Sequence, residues 1–241
     1  MKESWLRSKQ FQIDVFSIFV AKNYIIRRCI YEYILNFATL AQGSLLDFGC
    51  GSKPYKKYFT NVDKYVGLEY DNGDLSKSHS ADIVYSGNVL PFNNEHFDSV
   101  LATEVIEHIF NLDAMLDEIY RVIKPGGYFF ITIPFIFGEH EVPNDYGRYT
   151  RYGIRKILED HNFEVIEIQC GPNAVLTSLQ VFIEALSRNN FPSKFAKYLR
   201  FSVLIPLAIV SNIFAFMFWN AKFGNKGMYL STGIIAQKQS E

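Results

Sequence analysis

The chain has 241 residues, 49% of them hydrophobic, with 24 Lys and Arg set against 25 Asp and Glu for a formal net charge of -1. That length and apolar content can bury one large core without a second domain. The near balance of charge supplies no basic field of the kind nucleic-acid binding needs, which excludes DNA and unstructured RNA as expected partners. Cys29, Cys50 and Cys170 are odd in number, widely separated and without metal-ligand spacing, so they read as reduced structural thiols in a cytoplasmic protein. Asp14 and Lys22 interrupt the apolar residues near the start, so no export signal is expected.

Taken in order, apolar residues recur from Phe11 to Phe37 at Val15, Ile18, Phe19, Ile25, Ile26, Cys29, Ile30, Tyr33, Ile34 and Phe37. That spacing predicts one long or broken helix. Leu45, Leu46 and Phe48 then suit a strand covered on both faces, which ends at Asp47 and runs into Gly49 and Gly51. Such a turn bends sharply and lets bare backbone approach an adenosine-containing ligand. Pro54 to Phe59 predicts a short crossover helix. Tyr65 to Glu69 is a second strand ending in a carboxylate, suitably placed to accept from a ribose diol. Asp71 to Ser80 predicts a polar loop or short helix, Ala81 to Tyr85 a brief third strand, and Phe97 to Ala102 a fourth.

Leu112, Met115, Leu116, Ile119, Val122 and Ile123 line one face of a helix that Pro125-Gly126-Gly127 is expected to stop, and Tyr128 to Ile133 predicts a central strand. The following block, 137–150, is polar and aromatic, and a loop leaving the carboxyl end of a strand in such a sheet is where an acceptor should bind. Thr150 is placed to cap a helix that ends at His161-Asn162, before a sixth strand from Phe163 to Gln169. Residues 171–227 form a helical, apolar insertion in which Phe201 to Trp219 carries no formal charge, and Met228 to Ala236 reads as a closing strand. Pro206 and Ser211-Asn212 interrupt the uncharged run. The two readings of it are a buried helical cap and a peripheral contact with a membrane surface.

Asp-Phe-Gly-Cys-Gly at 47–51, Val-Gly-Leu-Glu at 66–69, Leu-Pro-Phe at 90–92, Glu-Val-Ile-Glu-His at 104–108 and Ile-Lys-Pro-Gly-Gly at 123–127 together resemble the successive motifs of class I S-adenosylmethionine-dependent methyltransferases. The resemblance covers about residues 43–170. It implies a Rossmann-like, doubly wound α/β fold with a seven-stranded, mostly parallel sheet and an antiparallel last strand. It implies one domain, divided into an N-terminal helical extension (1–42), a cofactor core (43–170), the insertion (171–227) and the closing strand (228–241). The cofactor it implies is S-adenosyl-L-methionine, held by Asp47, Gly49, Cys50, Gly51, Glu69, Asn88 and Glu104. Lys53 departs from it, standing where the family often has a third glycine. His108 commonly has a structural role in that motif, so no metal site is expected.

The 137–150 block, through Pro143-Asn144-Asp145-Tyr146 and Arg148-Tyr149-Thr150, resembles the acceptor side of methyltransferases of bacterial surface-polysaccharide synthesis. The expected reaction is O-methylation of a small-molecule or lipid-linked glycan acceptor, at the inner face of the membrane. His140 is the first candidate base because an imidazole titrates near neutrality, and Asp145 is the second. Tyr146 is expected near the transferred methyl. Arg148 and Tyr149 are expected on the acceptor, with an intramolecular salt bridge as the other reading of Arg148. The competing functions are an NAD-linked oxidoreductase, which Lys53-Pro54 in the glycine turn disfavours, and a cofactor-binding scaffold without chemistry.

Overall fold

Seven strands form where the sequence concentrates β-branched and aromatic residues that have no exposed face to supply. The computed structural model describes residues 13–71, 80–188, 194–222 and 224–240. The strands are β1 Gly43–Phe48, β2 Val62–Tyr70, β3 Ile83–Tyr85, β4 Phe97–Thr103, β5 Ile123–Pro134, β6 Phe163–Gly171 and β7 Ser231–Lys238. They lie side by side in the order β3-β2-β1-β4-β5-β7-β6. β1 pairs in parallel with both β2 and β4, β2 with β3, and β4 with β5. The last strands run antiparallel, which completes the expected Rossmann-like α/β class. Chain order reverses between β1 and β4, so the carboxyl ends of these two strands flank the crevice in which such sheets bind ligands.

The helices are α1 Ser17–Val20, α2 Tyr24–Leu40, α3 Leu112–Val122, α4 Arg151–Asp160, α5 Ala174–Arg188 and α6 Lys194–Phe218. The chain divides into two compact units. The sheet unit comprises Tyr33–Phe135, Glu139–Cys170 and Thr232–Glu241, and the helical unit Met1–Glu32, Ile136–Gly138 and Gly171–Ser231. In the sheet unit Leu45, Leu46, Val100, Phe129 and Ile131 are fully buried. Each such side chain gains about 1.5–3 kcal/mol on leaving water. Phe37 of α2 stacks on Phe130 of β5 at 5.2 Å. Gly233 in β7 makes room for the Tyr33 ring, which lies 2.5 Å from where a Cβ would stand.

Several boundaries differ from the sequence expectation for identifiable reasons. The N-terminal helix is broken at residues 21–23, and the break shifts its phase: Ile18 and Ile25 are buried, but Val15 and Phe19 are 64% and 52% exposed. The crossover after β1 shrinks to a single 3-10 turn, Lys56–Tyr58. Pro125-Gly126-Gly127 does not stand outside β5. The strand follows α3 directly, and the three residues sit in an irregularity between the pairs Phe97↔Ile123 and Ser99↔Tyr128. The expected loop at 71–80 lies mostly outside the described residues. Thr150 caps α4 as expected, its Oγ1 accepting from the Gly153 N–H at 3.1 Å.

In the helical unit α6 packs against α5 and α1. Leu204 and Ala208 form a small core with Ile183, and the Asn212 amide donates to the carbonyl oxygens of Ile18 and Ala21, both at 2.9 Å. Pro206 lies inside the helix and does not end it. Ser211-Asn212, expected to interrupt the run, is instead part of its buried face, because a partner for the amide makes burial affordable. The opposite face is apolar as well, with Val203, Ile205, Val210 and Met217 each more than half exposed.

Candidate functional site

The turn after β1 is fastened to the end of β2. The Gly49 and Cys50 N–H groups donate to the Leu68 carbonyl at 2.9 and 3.1 Å, and the Gly51 N–H donates to Glu69 Oε2 at 2.8 Å. Gly49 and Gly51 adopt φ of 72° and 49°. A Cβ on Gly49 would lie 2.5 Å from Val105 Cγ2, whereas one on Gly51 would meet nothing within 4 Å. The first glycine is thus needed for packing and the second leaves open space beside an acidic side chain. Asp47 sits beneath the turn, 3% exposed, with the Tyr65 hydroxyl donating to Oδ2 at 2.6 Å. Burial pushes its carboxyl up to about 7 despite that bond. Burial likewise pushes the Cys50 thiol up to about 12, an inert sulfur that packs under the turn.

Lys53 accounts for its own departure from the glycine pattern. It adopts φ of 52°, the conformation a third glycine would supply, and its Nζ pairs with Asp82 Oδ2 at 2.6 Å. The lysine stem passes over Gly67, 2.1 Å from where a Cβ would lie, and Asp82 Oδ2 also accepts from the Gly67 N–H at 2.7 Å. Lys53 therefore ties the turn to the segment leading into β3. Of the other residues expected on the cofactor, Asn88 is exposed in the bend after β3. Glu104 leaves β4 with φ of 53°, its N–H donating to the Thr132 carbonyl at 3.0 Å and its Oε1 accepting from Thr132 Oγ1 at 2.9 Å.

The loop after β5 folds onto the end of β4. The Tyr146 and Gly147 N–H groups donate to the Glu107 carbonyl at 2.8 and 3.2 Å, and His108 Nδ1 donates to the Asn144 carbonyl at 2.6 Å. Asp145 gives both carboxylate oxygens to the Arg148 guanidinium and accepts from the His140 N–H at 3.0 Å. The Arg148 bonds hold Asp145 well below the usual carboxylate range, at about 2, which makes it a poor proton acceptor. Arg148 accordingly takes the salt-bridge reading. Tyr146 is 48% exposed, its hydroxyl donating to Asn144 Oδ1 at 2.9 Å, and Tyr149 packs against the core.

His140 and His108 meet edge to face, ring centroids 4.8 Å apart, and Glu107 lies beneath them. The Glu107 side chain is 0% exposed, and its Oε1 is 3.6 Å from Nε2 of each histidine. Burial pushes its carboxyl up to about 7. Neither carboxylate oxygen has a hydrogen-bond partner. In sequence, Glu104, Glu107 and His108 invite a metal or general-base reading, which the structural role of His108 in that motif sets aside, and Glu107 is not named as a site residue. Its position in Glu-Val-Ile-Glu-His placed it near the reaction centre, but nothing local signalled that it would be buried beneath a histidine 33 residues further on.

Residues 46–131 match the family model described as a methyltransferase domain. The rat mitochondrial ubiquinone biosynthesis O-methyltransferase is 52% identical over 105 residues, spanning 36% of this chain and 30% of that protein. The malonyl-[acyl-carrier protein] O-methyltransferase of Erwinia billingiae is 29% identical over 109 residues, 42% and 43% of the two chains. The chain thus spans less than half the length of these curated relatives. A SAM-dependent methyltransferase of Archaeoglobus fulgidus has the same fold at a TM-score of 0.53 and 17% identity, over 98% of this chain and 99% of that one. The [4+2]-cyclase SpnF also shares it, at a TM-score of 0.54 and 17% identity over 89% and 81%. The matched domain implies S-adenosylmethionine as cofactor, and the open space at Gly51 beside the Glu69 carboxylate fits such a ligand.

Proposed function

We propose that the chain is an S-adenosylmethionine-dependent O-methyltransferase acting on a hydroxyl of a small molecule or glycan, in surface-polysaccharide synthesis. The observation that carries this reading is the His140 and Glu107 cluster at the same carboxyl end of the adjacent parallel strands β1 and β4 as the glycine turn. Glu69 would accept from the ribose, the Gly49–Gly51 backbone would pass the methionine portion, and Asn88 would offer a donor and an acceptor to the adenine edge. When bound, the cofactor supplies an electrophilic methyl group on a cationic sulfonium. The protein's own work is to align an acceptor oxygen with that methyl, exclude water and take up the hydroxyl proton. His140 is the group suited to the proton. Asp145 and Arg148 hold the loop that presents His140, and Tyr146 and Tyr149 flank the acceptor space.

The match to a methyltransferase domain disfavours an NAD-linked reaction. The two curated relatives are both O-methyltransferases, which supports oxygen as the methylated atom. Among the described residues no helix is long and apolar enough to cross a membrane. The exposed apolar face of α6 supports a peripheral contact with the cytoplasmic face of a membrane, where a lipid-linked glycan would be presented. The test is incubation with S-adenosylmethionine labelled in the methyl group and candidate nucleotide-sugar or lipid-linked acceptors. Transfer of label to a sugar oxygen supports the proposal, and exclusive transfer to nitrogen or carbon acceptors rejects it.

A further inference from the structure

We propose that Glu107, His108 and His140 bind a divalent transition-metal ion of the zinc or manganese type. One ligand atom from each residue falls within 4.8 Å of the others. His108 donates its Nδ1 proton to the Asn144 carbonyl, an oxygen that can only accept, so the lone pair of the neutral ring sits on Nε2. That lone pair faces Glu107 Oε1 at 3.6 Å. His140 Nε2 faces the same Glu107 oxygen at 3.6 Å, and its Nδ1 lies 3.4 Å from Asp145 Oδ2.

The His108 lone pair, His140 Nε2 and a buried carboxyl group without a hydrogen-bond partner converge on one point, an arrangement that a cation would satisfy. At 3.6 Å the nitrogen and oxygen atoms are too far apart to hydrogen-bond directly. Ligands held about 2.0–2.1 Å from a zinc ion at a tetrahedral angle stand about 3.4 Å apart, close to the two Glu107–histidine separations of 3.6 Å. Part of the supporting shell is present too: His108 is oriented through its other nitrogen by the Asn144 carbonyl, as ligating histidines usually are, and the His140 backbone N–H is held by Asp145. The carboxylate is fully buried and neither of its oxygens has a hydrogen-bond partner, while the histidine side chains are 19% and 25% exposed and leave a route for an ion. Three protein ligands leave at least one coordination position open. This deepens the O-methyltransferase reading, since an acceptor hydroxyl placed there would lose its proton more easily. His140 would then act as a ligand and not as a free base.

The experiment is metal titration of the full chain, stripped with chelator and containing neither S-adenosylmethionine nor acceptor, so that its outcome is independent of whether methyl transfer occurs. Calorimetry with zinc or manganese ions should give one equivalent per chain. Cobalt substitution should give the visible absorption of a low-coordinate site with nitrogen ligands. Glu107→Gln and His140→Asn should each weaken binding by about a hundredfold or more, whereas His161→Ala, which removes a separate histidine beside Asp113 and Asp117, should leave it unchanged. Circular dichroism checks that the variants fold, and His108→Asn replaces either one that does not. No stoichiometric binding, or binding unaltered by the ligand variants, overturns the proposal.

Discussion

The Gly51 N–H donates to Glu69 Oε2 at 2.8 Å, joining the turn after β1 to the carboxyl end of β2. A carboxylate that already accepts from the backbone of the glycine turn is fixed at the place where a ribose would present its hydroxyls. Glu69→Ala should therefore weaken S-adenosylmethionine binding by about 1.5–3 kcal/mol, roughly ten- to more than a hundredfold. Calorimetry reads this directly, and unchanged affinity removes Glu69 from the site.

Asp47 predicts an unusual pH dependence. Burial raises its folded-state value from 3.8 to about 7, so between those two pH values the unfolded chain loses this proton while the folded chain keeps it. Stability from this group is thus highest below pH 3.8, falls as pH rises, and is at its lowest above about pH 7. Asp47→Asn keeps an oxygen for the Tyr65 hydroxyl and abolishes the titration. At pH 8, without cofactor, it should be more stable than the parent by on the order of 2–4 kcal/mol, and near pH 4 about equal. Melting temperatures across that range test the point, and parallel curves for the two proteins would exclude a buried neutral Asp47.

The strands and the order of the cofactor motifs were legible because each combines an apolar run with a local terminator: Asp47 near the end of β1 with the glycine pair beyond it, Glu69 near the end of β2, Glu104 after β4. What was illegible depends on distant partners. Lys53 looked like a break in the glycine pattern, and its pairing with Asp82 is set by β3. Asp145 read as a candidate base and Arg148 as either an acceptor contact or a salt-bridge partner, and only the fold gave them to one another. The buried side of α6 could not be read at all, since a helix that is apolar all round has no periodic face to reveal it.

His140 sits above Glu107 with its backbone N–H fixed by Asp145. His140→Ala should lower kcat by about a hundredfold or more and leave S-adenosylmethionine affinity unchanged, because the side chain lies in the loop after β5 and not with the glycine turn. Asp145→Asn should lower kcat less, since it loosens the loop and keeps the imidazole. Single-turnover rates with a known acceptor measure both. Equal turnover in His140→Ala would show that the histidine neither moves a proton nor holds a group that does.

The outer face of α6 makes the last prediction. Val203, Ile205, Val210, Phe216 and Met217 are each more than half exposed, while Leu204, Ala208, Ser211, Asn212 and Ala215 are buried. Apolar side chains left in water on one face of a helix, with exposed Lys222 and Lys226 just beyond its end, form the pattern of a segment lying in a membrane interface. A buried cap accounts for the inner face of this helix and leaves the outer face unexplained. Burying one side chain of this size contributes about 1.5–3 kcal/mol, so Phe216→Glu combined with Met217→Glu should weaken vesicle binding at least about tenfold. Neither residue lies in the buried set, but the Arg28 guanidinium stands over the Phe216 ring at 5.7 Å, so circular dichroism checks that the double variant folds. The parent protein should float with anionic liposomes at low salt and the double variant should not. Parent protein that stays at the bottom of the gradient would reject the membrane contact.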